Sequence, residues 1–228
     1  MDWMPFLAFG VAFAALVARL LMKARADRRA RGEKLVRMGF APCSSEAEIE
    51  MLVEQITCFE NNSGYRYRVE EVMRISLRGD AAWFYRKERS RSGNIVAVHE
   101  FHFPLDRPSR EGVVLFFKPS ALRSGTSATF VGSLATGGWD SQPDDLTRLP
   151  VPEDLRHGNL IGILAPAGAS LFELIEPKAI AALQPVGDHG ATRVACRDGW
   201  CSFSSSSTRH DFDLEGLWSI IQGLASLS

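Results

Sequence analysis

Four cysteines and five histidines are the side chains of this 228-residue chain best suited to nucleophilic, redox or metal chemistry. The cysteines stand at Cys43, Cys58, Cys196 and Cys201, with no C-x2-C pair among them. Four thiolates make a structural zinc site when two pairs meet in space, but the usual framework carries each pair on a knuckle. Cys196 and Cys201 instead face each other across a tight hairpin, so the reading is four reduced, mostly buried cysteines in a cytoplasmic domain. If the domain lies in an oxidising compartment, a Cys196–Cys201 cross-strand disulfide replaces that reading. A thiol nucleophile needs a paired histidine, which the spacing does not supply.

His99-Glu100-Phe101-His102 is the nearest approach to a metal motif. It is not H-E-x-x-H, which sets two histidines on one helical face. In a strand, residues three apart point to opposite faces, so His99 and His102 cannot chelate one ion. Asp140, Asp144 and Asp145 offer oxygen ligands, but without the alternate spacing, Gly and terminal Glu of a calcium loop. They read as a solvated acidic loop. Arg78-Gly79-Asp80 is an adhesion-like tripeptide that lies between two strands and reads as a turn. The chain contains no G-x-S-x-G, P-loop or G-x-G-x-x-G motif, so nothing supports a serine-hydrolase elbow, a phosphate cradle or a dinucleotide fold. The expectation is therefore no catalytic residue, no cofactor-binding residue, no metal ligand and no cofactor.

The elements that carry these residues alternate in character. Ser45-x-x-Glu48 is a capping box. It opens a helix with Ile49, Leu52, Val53, Ile56 and Phe59 on one face, closed by Asn61-Asn62-Ser63-Gly64. From Tyr65 to Lys118 the period drops to two, with turns at Arg78-Gly79-Asp80 and Ser92-Gly93-Asn94. Four or five consecutive strands on short turns predict an antiparallel meander. Aromatic residues cluster there, at Trp83, Phe84, Tyr85, Phe101, Phe103, Phe116 and Phe117. They read as core packing and not as a base-stacking platform. Pro119 to Pro152 is loop-like, with Ala128 to Leu134 as one short element. Leu160 to Leu164, Ser170 to Ile175 and Pro177 to Leu183 are short elements. Arg197-Asp198-Gly199 joins two strands in a hairpin, and an amphipathic helix from Asp213, capped by Asp211 or Asp213, carries Leu214, Leu217, Trp218, Ile221 and Leu224 on one face.

The N-terminus differs from all of this. Trp3 to Met22 holds a single charge, Arg19, and its 20 residues would span roughly 30 Å as a helix, the hydrocarbon thickness of a bilayer. Arg19 lies about a turn from the end, where its stem can reach the headgroups. The positive flank follows the apolar run, unlike that of a cleavable signal peptide. Residues 1 to 37 carry eight Arg/Lys against three acids, while the remaining 191 residues sum to −6. Retention of the basic side places the body in the cytoplasm. A −6 body also argues against nucleic acid as a partner. Arg outnumbers Lys 15 to 3 in the body, the composition of a GC-rich bacterial genome.

The expectation is an α+β protein in two parts, a transmembrane anchor and basic collar over 1–31 and one antiparallel meander domain with helices packed on one face over 32–228. It sits in the bacterial inner membrane as a single-pass protein, with the lipid bilayer as partner through residues 3–22. Its role is a non-enzymatic binding or interaction module with an unidentified protein partner. The alternative is a tethered enzyme with its site in the loop-rich segment 119–157.

Overall fold

The computed structural model describes residues 4–105, 112–118, 143–155, 159–205 and 212–227, with residues 4–8 and 94 described only along the backbone. The chain divides into two units, Met1–Phe40 and Ala41–Ser228.

The first unit is one helix, α1 (Met4–Arg37). It runs through Gly32 without a break. A single helical glycine costs about 1 kcal/mol, and the Ala, Arg, Glu, Lys and Leu around it are strong helix formers. Among the described residues no helix is long and apolar enough to cross a membrane. The described apolar run ends at Met22 and contains Arg19, and Trp3, the expected start of the span, lies outside the described residues.

The described residues of the second unit form one antiparallel sheet of nine strands in the order β1-β2-β3-β4-β9-β8-β5-β7-β6. In chain order these are β1 (Ala41–Pro42), β2 (Arg66–Leu77), β3 (Asp80–Arg91), β4 (Asn94–Pro104), β5 (Val113–Phe117), β6 (Thr147–Leu149), β7 (Leu160–Ala165), β8 (Arg193–Arg197) and β9 (Trp200–Ser204). The expected meander holds for β2, β3 and β4. Both of its hairpin turns take positive φ, at Arg78-Gly79 (57° and 97°) and Ser92-Gly93 (50° and 85°), the backbone that matches strand twist in a two-residue turn. The meander then stops. β5 does not follow β4 in the sheet, because the β8–β9 hairpin inserts between them and pairs with β4 on one side and β5 on the other. Local periodicity has no term for a pairing between strands a hundred residues apart.

Helices cover both faces of the sheet, not one. α2 (Glu46–Glu60) is capped by Ser45, whose side chain accepts from the Glu48 amide. It lays Leu52 and Ile56 on Trp83, Tyr85 and Val72, and Phe59 on Val114, Phe116 and Ala195. The other face holds Phe101, whose ring stacks on Trp218 of the last helix at 6.1 Å between centroids. That helix, α5 (Leu214–Ser226), is capped by Asp213. The alternation along β4 makes this division, since Phe101 and His102 must face opposite ways. Two short helices, α3 (Leu171–Leu174) and α4 (Pro177–Leu183), lead into a 3-10 helix over Gln184–His189.

Candidate functional site

Four charged side chains meet beneath the end of α2. Glu60, in its last turn, is 2% exposed, Lys87 of β3 is 2% exposed and Glu100 of β4 is fully buried. Arg193 of β8 completes the set, its two guanidinium nitrogens donating to the two carboxylate oxygens of Glu60 at 3.0 Å each. Lys87 Nζ lies 2.6 Å from both Glu60 Oε1 and Glu100 Oε2. The Tyr85 hydroxyl donates to Glu100 Oε1 at 2.8 Å. Desolvating four charges costs several kcal/mol per ion unless each is paired in good geometry, as these are. Burial alone would raise the Glu60 carboxyl, but Arg193 and then Lys87 outweigh it and hold the group well below the usual carboxylate range. Burial, followed by the charge of Glu100 and its hydrogen bond, pushes the Tyr85 hydroxyl upward.

His102 sits beside this cluster. Its ring lies flat on Trp200 at 4.9 Å and edge-on to Phe59 at 5.1 Å. Neither ring nitrogen has a hydrogen-bond partner, nor has the hydroxyl of Ser202, its cross-strand neighbour. Burial, and then the positive charge of Lys87, push its pKa down to about 3, so it is neutral at physiological pH. His99 lies on the opposite face, 6% exposed and stacked on Phe84. The two histidines therefore do not converge.

The cysteines separate into three environments. Cys43 donates to Glu48 Oε2 at 3.2 Å, Cys58 is exposed, and Cys196 and Cys201 are buried with their sulfurs 2.8 Å apart. Among the described residues no three His, Cys, Asp or Glu side chains are grouped to hold a metal ion. Asp144 accepts from the Ser63 amide and hydroxyl, and Asp145 accepts from Arg197 at 2.7 Å. Asp140 and the Ala128–Leu134 element lie outside the described residues. His189 Nδ1 and Asp213 Oδ2 are 2.8 Å apart and tie the 3-10 helix to the cap of α5.

An open groove of about 830 Å3 lies between the end of β5 and the α4–3-10 segment. Its wall is apolar, from Leu155, Phe172, Ile180 and Ala181, while Lys118, Asp154, Asn159 and Asp188 bring polar groups to it. Gly187 permits this geometry, because a Cβ there would lie 2.5 Å from the carbonyl oxygen of Lys118. The Asn159 side-chain amide donates to the Gln184 carbonyl at 3.2 Å, which fixes the groove's floor. No Ser, Thr, Cys or His lines it among the described residues.

The spacing placed His99 and His102 on opposite faces and Cys196 opposite Cys201, but Cys43 and Cys58 are not buried, and it marked neither the ion cluster nor the groove. Glu60 and Arg193 are 133 residues apart, and nothing local marks either as half of a pair. One signal was present: Lys87 and Glu100 fall on the inward period of strands whose neighbours are aromatic.

No family model matches this chain, and no curated protein matches it. A solved structure that resembles it is the crystal structure of the mycobacterial trehalose monomycolate transport factor A, TtfA. The TM-score is 0.42 and the identity 12%, over 88% of this chain and 92% of that one.

Proposed function

We propose that this chain is a non-enzymatic binding module, tethered to the membrane through α1 with its sheet domain in the cytoplasm, and that the groove beside α4 receives the partner. The observation that carries the reading is a division of chemistry. The cluster of Glu60, Lys87, Glu100, Arg193 and His102 is closed off from solvent, so its charges act on the fold and not on a substrate. The accessible concavity has an apolar wall with a few polar groups, the character of a binding site. Phe172 stands 44% exposed at that wall, available to a partner. For the tether, Phe9, Val11, Phe13, Leu16, Leu20 and Leu21 of α1 are all exposed, an apolar surface of the kind that marks membrane contact. Arg25, Arg28, Arg29 and Arg31 follow at once, which supports a cytoplasmic collar.

The test is a photo-reactive phenylalanine at Phe172, with Met51 on the exposed side of α2 as control. Irradiated cells should yield a discrete adduct from position 172 alone. No adduct at 172, or equal labelling at both, removes the groove as a docking site. A second reading, a tethered enzyme, is favoured by position, since Asp154 and Leu155 of the groove lie within the segment 119–157 and Lys118 adjoins it. Turnover of a substrate that is abolished by Lys118→Ala would replace the module with that enzyme.

A further inference from the structure

The β8–β9 hairpin places two cysteines where a covalent bond needs no rearrangement. Asp198 and Gly199 both have positive φ, 47° and 90°, so the connection is a two-residue turn flanked by Arg197 and Trp200. Cys196 and Cys201 form the next cross-strand pair. The backbone on either side of β9 fixes which kind of pair this is. Leu105 N donates to Gly199 O, and Ser205 N donates to His99 O. Those bonds make Trp200 and Ser204 the non-hydrogen-bonded positions toward β4, so Cys201 bonds toward β4 through its own backbone. Toward β8 it therefore stands in a non-hydrogen-bonded pair, where facing Cα atoms approach to about 4.5 Å, within the range of about 4.4–6.8 Å that a disulfide spans. The sulfurs are 2.8 Å apart, and both side chains are buried among apolar neighbours.

We propose that Cys196 and Cys201 are a covalent modification site, a cross-strand disulfide that closes as the hairpin folds and before the surrounding core seals it. Closure joins the two Sγ atoms. The two thiol protons and two electrons pass to a small disulfide of the glutathione class, which leaves as two thiols. Cys43 and Cys58 take no part: the first donates to the Glu48 carboxylate and the second lies exposed on α2. In the folded dithiol, burial and then the hydrogen bond and charge of Cys196 push the Cys201 thiol upward, so little thiolate is present to exchange. The redox state is therefore set during folding and then held. The inference is independent of what binds the groove. In a cytoplasmic domain the pair would close only when oxidant is present during synthesis or refolding.

The experiment uses the full chain in detergent, unfolded in urea and refolded in buffers graded from reduced to oxidised glutathione. Free thiols are then alkylated and the chain is digested with trypsin. The expected result is one pair of peptides, Val194–Arg197 joined to Asp198–Arg209, which separates on reduction, with Cys43 and Cys58 not joined to either. The oxidised chain should also unfold at higher urea than the reduced one, a difference lost in Cys201→Ser and kept in Cys58→Ser. Alkylation of Cys196 and Cys201 in the buffer that glutathionylates Cys58 would overturn the proposal. So would glutathione adducts on Cys196 or Cys201 in place of the joined peptides. Both decisive readouts use the unmutated chain, so a variant that fails to fold does not blunt them.

Discussion

Glu60 is the residue on which the buried cluster turns. Both cations of the set, Lys87 and Arg193, reach it, while Glu100 is reached by Lys87 alone among them. Glu60→Gln keeps the volume and removes the charge, leaving the buried Arg193 guanidinium without the carboxylate it pairs with. Removing one partner of a buried ion pair costs about 3–5 kcal/mol, so this variant should unfold at a markedly lower urea concentration. An unchanged midpoint would mean that water reaches the cluster. His102 makes a second prediction through its proton. Its folded pKa of about 3 lies below the ordinary 6.5. Between those values the unfolded chain binds a proton that the folded chain refuses, so stability is fully present above pH 6.5 and falls as pH drops toward 3. The slope is about 1.4 kcal/mol per pH unit for one proton. Glu60 acts in the same direction, but only once pH falls below its ordinary 4.5. Urea midpoints measured between pH 6.5 and 5 should decline in the native sequence and flatten in His102→Phe.

At the scale of elements, α5 depends on an absent side chain. A Cβ on Gly216 would lie 2.0 Å from His189 Nδ1 and 2.5 Å from Asp213 Oδ2. Gly216→Ala gains about 1 kcal/mol of helix propensity, yet it should lower the melting temperature, because it displaces the pair that ties the helix cap to the 3-10 helix. His189→Ala in the same chain should recover much of the loss. Trp218→Ala should cost about 3–5 kcal/mol, since the indole is 7% exposed and stacked on Phe101. A melting temperature unmoved by Trp218→Ala would mean that the helix is not part of the core. The Ser45 cap of α2, the aspartate cap of α5, the two-residue turns and the inward face of α5 were legible in the sequence, because each is decided within a few residues; of the expected capping box only the Ser45 half forms, since the Glu48 carboxylate accepts from Cys43 and Arg74. The register of β8 against β5 was not, nor was the coverage of both sheet faces. An alternating strand states that it has two faces but not what will cover them. The groove escaped for a similar reason: its walls come from Lys118 just after β5, Asn159 just before β7, α3, α4 and the 3-10 turns over Glu153–Leu155 and Gln184–His189, and only folding makes them neighbours.

For the whole molecule the expected outcome is retention in the membrane fraction after carbonate washing, and release on deletion of residues 1–31. A C-terminal alkaline phosphatase fusion, active only after export, should be inactive. Replacing Arg28, Arg29 and Arg31 with Ala and adding Lys after Met1 should begin to invert the orientation. Strong phosphatase activity in the unmodified chain would place the domain outside the membrane, where a closed Cys196–Cys201 bond would be its ordinary state.

The insertion of β9 beside β4 also sets a timetable. β4 ends at Pro104, yet the strand that covers its free edge begins at Trp200. During synthesis the first three hairpin strands can form early, but one long edge carrying Phe101 and Phe103 stays open until nearly the whole chain has emerged. An exposed apolar edge of that kind recruits the wrong strands, including those of neighbouring copies. Chains cut short before Trp200 should therefore be found as aggregates or bound to chaperones. Full-length chains should refold over milliseconds to seconds, with yield falling as concentration rises.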